Sequence, residues 1–299
     1  MINRRGNSIR KSKLFLYAKS VRNKMYELIY IGKNLPQWLA GKGLPLTKHD
    51  RRLVGLRNRY KGQRCFVLGN GPSLKRQNIG LLKDEFVFVT NWFFLHEEFK
   101  NLKHCFYCTE HATSYDCGQN FNPELFESLS RMPNVKCFFD IRSSSICEKR
   151  QISLTNPVFF TKINYSKEVC KGNFSINIPF ETCFGWTVII DMCLPIAFYL
   201  GFSTIYLLGC DCDYRLDEAE DFSKSFFYDV LSMPIRAREE MYKSKARQGK
   251  EFGHQKQILA SYQVVKRYFE NHGRRIYNAG HDGKLNVFER INYDNIIHT

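Results

Sequence analysis

Short apolar runs, each ending at a turn or polar residue, punctuate the chain from residue 65 onward. Cys65-Phe-Val-Leu68 stops at Gly69-Asn70-Gly71-Pro72-Ser73, residues 85–90 (Glu-Phe-Val-Phe-Val-Thr) stop at Asn91, and residues 105–109, 135–140, 204–208 and 275–278 have the same character. Runs of this length, rich in Val, Ile, Phe and Tyr, predict strands. Between them lie segments of helical period: residues 123–131, a continuous apolar stretch over 188–200 with Gly201 as its cap, and a helix after Gly253-His254 marked by Ile258, Leu259, Tyr262, Val265 and Phe269. Strand and helix in alternation predict an α/β fold with a doubly wound, mostly parallel sheet covered by helices on both faces.

In such sheets ligands bind outside the carboxyl ends of the strands. That rule sets Asn70, Asn91, Thr109, Glu110 and Asp211 on one rim. The turn at residues 69–73 suits a phosphate. Its glycines let the backbone approach a ligand, Asn70 adds an amide, and Pro72 with Ser73 opens a helix whose free N–H groups attract anions. The turn is neither Gly-x-Gly-x-x-Gly, because Leu74 occupies the third glycine position, nor a P-loop, because one residue separates the glycines. Read alone, it is equally an ordinary tight turn. Asp211, after a strand opening at Gly209, reads as a partner for a ribose, a sugar hydroxyl or a divalent metal, or else as a turn aspartate capping loop amides. His254 stands at the N-terminal edge of the late helix, where the dipole disfavours imidazolium and keeps the ring neutral as a base, or else it is a structural residue, as lone histidines usually are.

Composition narrows the partners. The chain has 299 residues, 43% of them hydrophobic, enough for one α/β domain with additions, and a formal charge of +16. Such an excess points to an anionic partner. No segment matches a nucleic-acid reader, and the basic residues concentrate near the start instead of forming a stripe with stacking aromatics, so no specific nucleic acid is expected. Eleven cysteines and no signal peptide predict a reducing, cytoplasmic setting. His104, Cys105, Cys108, His111 and Cys117 can be drawn as a zinc site, but Cys105-Phe-Tyr-Cys108 reads better as a buried strand with its two thiols on opposite faces, and no metal site is expected. Cys210 and Cys212 read as small core residues.

Two segments stand outside the core. Residues 1–61 form a basic arm in which Leu14, Tyr17, Val21, Met25 and Leu28 recur at helical spacing; it reads as an interfacial helix on an anionic membrane surface, with Trp38 at the interface, or as a helix packed on the body or on a second copy. Neither the arm nor residues 186–209, divided by Asp191, Pro195 and Ser203, is expected to span a membrane. Residues 215–252, charged and aromatic, read as a mobile lid inserted in the domain at 62–299, or as a solvated helical excursion.

Four pieces in register carry a resemblance: Gly69-Asn70-Gly71-Pro72-Ser73-Leu74; a strand ending at Asn91; Ala197-Phe-Tyr-Leu-Gly201-Phe202 leading to Ile205-Tyr-Leu, Gly209 and Asp211; and Gly253-His254 before a long helix. Over most of residues 64–277 the chain resembles the bacterial sialyltransferases of glycosyltransferase family 42 and related nonulosonate transferases, including motility-associated proteins. The resemblance implies a single Rossmann-like, GT-A-like domain with a lid, taking a CMP-sugar donor and inverting the anomeric centre, with no obligatory metal or cofactor. It implies nucleotide binding by Gly69, Asn70, Gly71, Pro72, Ser73, Asn91 and Asp211, donor-sugar contacts at Gly185 and Thr187, His254 as general base, and Tyr214 and Tyr228 on the leaving phosphate.

The implied product is a surface glycan, lipopolysaccharide or capsule, extended on a lipid-linked acceptor by an enzyme peripheral on the inner face of the membrane, with a homo-oligomer possible. Thr182-Cys-Phe-Gly185-Trp-Thr187 departs from the family's Thr-Ser-Gly, and the tyrosine after Asp211 comes one place late, as Tyr214, so sialic, Kdo, legionaminic and pseudaminic acids all stay open. On the same scaffold a pterin or nucleotide pyrophosphokinase would use Asp211 and Asp213 to hold Mg²⁺.

Overall fold

The computed structural model describes residues 4–110, 123–132, 134–149, 156–213, 226–227 and 255–297. Eight strands form its central sheet: β1 Arg64–Leu68, β2 Phe86–Thr90, β3 His104–Thr109, β4 Lys136–Asp140, β5 Val158–Thr161, β8 Thr204–Leu208, β9 Arg275–Asn278 and β10 Glu289–Arg290. Their order is β10-β9-β8-β1-β2-β3-β4-β5, and every neighbouring pair is parallel. From β1 the chain winds outward through β2 to β5, then returns to the other side of β1 as β8. This is the doubly wound, Rossmann-like α/β fold, with its switch point between β1 and β8.

The apolar runs are continuous because both sheet faces are covered. One face carries Val67, Phe88, Phe106, Cys108 and Phe138 into a core with Ile190, Ile196 and Phe202. The other carries Phe66, Val87, Cys105, Tyr107 and Phe139 against Leu74, Phe93 and Leu129. Cys105 and Cys108 therefore point to opposite faces, as a strand requires. Cys210 and Cys212 are buried in the first core. His111 and Cys117 lie outside the described residues, among which no cluster of His, Cys, Asp or Glu could hold a metal ion.

Several elements differ from the sequence expectation. The helix expected at Pro72 is a 3-10 turn of five residues, Pro72–Arg76, closed by bonds from Leu74 N–H to Gly71 O and from Gln77 N–H to Leu74 O, while the Ser73 N–H, which no first-turn carbonyl can take, goes to a side chain (below). The single helix expected over 188–200 is split into a π-turn, Ile189–Cys193, and the α-helix Leu194–Leu200. Pro195 has no N–H to return to residue 191, and a widened turn absorbs the missing bond. Two further strands, β6 Ile163–Glu168 and β7 Thr182–Phe184, pair in parallel as a small second sheet, and β5 was also unanticipated. Gly201 caps the helix at φ 100°, and the late helix runs Gln255–Asn271 with Ile258, Tyr262, Val265 and Phe269 buried.

The arm has two characters. Its first helix, α1 Arg4–Lys33, exposes Tyr17, Val21, Met25 and Leu28. From Tyr30 onward the chain is tied down. The Tyr30 hydroxyl donates to Glu181 Oε2 at 2.5 Å, and Glu181, 2% exposed, also takes Asn164 Nδ2 at 3.0 Å and Lys167 Nζ at 2.7 Å. Beyond it α2 Leu35–Gly41 and α3 Lys48–Val54 follow, the latter opened by a reciprocal Thr47–Asp50 capping box. Leu53 and Leu56 are buried in the core, and the N–H groups of Asn58 and Tyr60 bond to the carbonyls of Tyr199 and Leu200 at the end of the buried helix. Trp38 is half-buried, with Lys42 Nζ 5.7 Å from its ring centre. No helix among the described residues is long and apolar enough to cross a membrane.

Candidate functional site

At the switch point the turns leaving β1 and β8 press against each other. Gly69 N–H bonds to Leu208 O and Gly71 N–H to Gly209 O, each at 2.8 Å. A Cβ on Gly69 would fall 2.3 Å from Gly209 O, and one on Gly71 2.5 Å from Asp211 Oδ2. Both glycines are therefore required by close backbone approach.

A cleft of about 300 Å³ opens above these turns. Gly69, Asn70, Gly71 and Pro72 line it from β1, Thr90 and Asn91 from β2, Glu110 from β3, and Gly209, Cys210, Asp211, Cys212 and Asp213 from β8. Its opposite wall is apolar and aromatic, made by Phe184, Trp186, Thr187, Val188 and Ile189 with Phe226 and Tyr262. Four non-glycine residues have positive φ among the described residues, and three of them, Asn91 at 47°, Trp186 at 74° and Cys212 at 50°, line this cleft. Such conformations persist where the surroundings impose them, and they concentrate at ligand sites.

The surroundings that impose Asn91 are visible. Its carbonyl accepts the Tyr107 hydroxyl, and its Oδ1 accepts Thr109 Oγ1 at 3.1 Å. With the carbonyl and amide oxygen engaged, the remaining Asn91 side-chain group is a donor. Asn70 Nδ2 donates to Thr90 O at 3.3 Å, while Asn70 Oδ1 is buried without a partner among the described residues.

Ser73 and Gly185, both expected at the ligand, stand behind the wall. Ser73 turns toward Asp211: its N–H donates to Oδ2 at 2.9 Å and its hydroxyl to Oδ1. Burial pushes the Asp211 carboxyl above the usual aspartate range, and the two Ser73 bonds pull the other way. Gly185 gives its N–H to Asp191 Oδ1, and a Cβ there would strike Ile190 Cγ2 at 2.1 Å. Asp213 is paired with Lys284 Nζ at 2.7 Å.

His254, Tyr214 and Tyr228 lie outside the described residues, as does the lid over 215–252 except for Phe226 and Phe227. Their neighbours reach the cleft. Gln255 Nε2 donates to Cys212 O at 2.9 Å, Phe227 N–H bonds to Asn70 O at 3.0 Å, and the Phe227 ring packs 5.5 Å from that of Phe93.

Sequence reasoning missed Trp186, Tyr262 and Phe226 as wall residues and used Glu110 only to mark the rim. For Trp186 a signal existed: a glycine followed by a tryptophan at the head of an apolar helix. Tyr262 carried only a core signal, because a helix residue that reaches a site follows the same period as one that fills a core.

The architecture thus defines an α/β protein with a mostly parallel sheet and a polar-floored, aromatic-walled cleft at the topological switch point. No family model and no curated protein matches the chain.

Proposed function

We propose that the chain is an inverting glycosyltransferase that moves an acidic nonulosonic sugar, such as sialic acid or Kdo, from CMP to a glycan acceptor carried on a lipid at the inner face of a bacterial membrane. The observation that carries this reading is the meeting of Asn70, Gly71, Asn91 and Thr187, from separate stretches of the chain, in one cleft at the switch point. These include residues that the family-42 resemblance assigns to nucleotide and donor sugar. The aromatic wall suits a base and a sugar ring.

The chemistry asks little of the protein beyond positioning. Departure of CMP leaves an oxocarbenium-like sugar, and amide donors such as Asn91 favour the charge growing on the phosphate. His254 takes the acceptor proton, and Tyr214 and Tyr228 hold the leaving phosphate, so the donor is a substrate and no divalent metal is needed. Gln255 supports the role of its neighbour His254 by anchoring the head of the late helix to Cys212.

The second reading, a metal-dependent pterin or nucleotide pyrophosphokinase, draws on Asp211 and Asp213 lining the same cleft. Against it, Ser73 bonds both Asp211 oxygens and Lys284 pairs with Asp213. Thermal-shift and calorimetric titration with CMP, CDP, UDP, ADP and GDP, with and without EDTA, separates the two. Selective, chelator-resistant stabilisation by CMP is expected; an adenine preference with a strict metal requirement overturns the transferase. In the transferase His254→Ala abolishes transfer and leaves CMP binding nearly intact, and loss of CMP binding in that variant would make the histidine structural.

A further inference from the structure

Two adjacent phenylalanines complete the cleft wall from outside the sheet, and they share one anchorage. Phe226 lines the cleft, while Phe227, 9% exposed, is buried in the second of the two cores. The Phe227 N–H bonds to Asn70 O at 3.0 Å. Asn70 belongs to a turn that is already held from its other side, because Gly69 and Gly71 give their N–H groups to Leu208 O and Gly209 O. The bond therefore fastens the phenylalanine pair to the turn more than it fastens the turn to the pair.

The turn after β2 prepares a socket for the Phe227 ring. Phe93, in the 3-10 turn Asn91–Leu95, and His96, which follows that turn, stack with ring centres 5.1 Å apart and planes 3° apart. Phe227 packs against both, 5.5 Å from Phe93 and 5.2 Å from His96. His96 is itself fixed, since its Nδ1 accepts the Glu98 N–H at 3.1 Å, and Phe93 leans edge-on against Phe99. Ring contacts at these separations add to what burial alone supplies. Socket and backbone bond together join the turn after β1 to the turn after β2, and the residue they leave at the cleft is Phe226.

We propose that Phe226 is a ligand-contacting residue whose ring takes one face of a nucleotide base, and that Phe227 is the positioning residue that seats it. A ring held in place beforehand gives up little freedom when the ligand arrives, so more of the contact appears as affinity. Every base has a π face, so the contact strengthens binding of any base and leaves the choice among bases to polar groups. Naming the base as cytosine rests on the transferase reading; the seating of Phe226 does not.

The test is calorimetric titration of the full chain with CMP and with ribose 5-phosphate, which keeps the sugar and phosphate and lacks the base. Phe226→Ala and Phe227→Ala are each expected to weaken CMP about tenfold, the scale of one base–aromatic stack, and to leave ribose 5-phosphate unchanged. Phe226→Tyr, which keeps the ring face, and Phe227→Leu, which refills the socket, should restore most of the CMP affinity. Adding Phe227→Ala to Phe226→Ala should cost no further affinity, because a positioning residue then has nothing to position. Equal losses for both ligands would make the pair a brace for the turn, and unchanged CMP affinity in Phe226→Ala would remove its ring from the site; either result overturns the proposal. A wild type that prefers ADP, and loses that affinity in Phe226→Ala, overturns the transferase and leaves the aromatic face standing. A wild type that binds no nucleotide overturns both. If Phe227→Ala does not fold, Phe226→Ala decides, since that ring is only half-buried.

Discussion

Ser73 donates to both carboxylate oxygens of Asp211, one through its backbone N–H and one through its hydroxyl, across 138 residues of sequence. The bond pair staples the turn after β1 to the turn after β8 at the one place where the sheet reverses its winding. It also gives a buried carboxylate two donors that favour its charged form.

Removing one of those donors should therefore cost stability in a pH-dependent way. Ser73→Ala keeps the backbone bond and loses the hydroxyl, for about 1–3 kcal/mol. Burial already raises the folded-state affinity of Asp211 for its proton, and Ser73 counters it. Without the hydroxyl the folded value rises further above the unfolded one, so stability falls more steeply as pH rises through that value. Urea unfolding at pH 5 and pH 8 should show the larger deficit at pH 8. An equal deficit at both would mean that Asp211 is not the group responding.

Gly71 tests the same junction by volume. A methyl there meets Asp211 Oδ2 at 2.5 Å and Gly209 O at 2.7 Å, one of them backbone that cannot swing aside. Gly71→Ala is expected to lose about 1–3 kcal/mol, and to weaken nucleotide binding more than its stability loss accounts for, because the displaced atoms are cleft wall. Denaturation and CMP titration on the same sample separate the two effects. Unchanged affinity would move the ligand away from this turn.

Much of this junction was readable from the chain itself. Apolar runs of strand length ending at Asn70, Asn91 and Asp211 gave the rim, because a parallel strand buried on both faces has no alternative reading as a surface element. The orientation of the rim residues was not readable. Nothing local to Ser73 says that Asp211 will claim its N–H, and nothing in the apolar stretch over 188–200 distinguishes a π-turn from an α-turn except Pro195, whose effect depends on what packs beside it. β5 followed Pro157 as Val-Phe-Phe-Thr, a usable signal; β6, with Tyr165, Ser166 and Lys167 turned outward, had none of the apolar continuity of the main sheet.

Glu181 ties the arm to the small sheet, and its loss should separate the two. Glu181→Gln weakens the bonds from Tyr30 and Lys167 together; Lys167 is half-exposed, which limits the penalty to about 1–2 kcal/mol. Tyr30→Phe removes only the arm's bond. Limited proteolysis should cut near residues 30–34 faster in both variants, with global unfolding shifted in Glu181→Gln and nearly unchanged in Tyr30→Phe. Identical cutting rates in wild type and variants would show that α2 and α3, not Tyr30, hold the arm.

The exposed part of α1 supplies the last prediction. Tyr17, Val21, Met25 and Leu28 fall within one side of the helix by their spacing, and they are 50–70% exposed, while Lys and Arg across α1 far outnumber its one acid, Glu27. An apolar stripe beside fixed positive charge suits an anionic bilayer, where each basic residue at the surface contributes about 1 kcal/mol. Deleting residues 1–29 leaves the Tyr30 anchor, α2 and α3 in place, so the body should fold and bind CMP as before. The truncated chain should no longer sediment with phosphatidylserine vesicles, and binding of the full chain should weaken as salt rises from about 0.1 to 0.5 M, because screening shortens the reach of the charges. Retained vesicle binding after truncation would move the membrane contact to the body of the protein. Loss of vesicle binding together with a shift from oligomer to monomer would instead assign the stripe to a second copy of the chain.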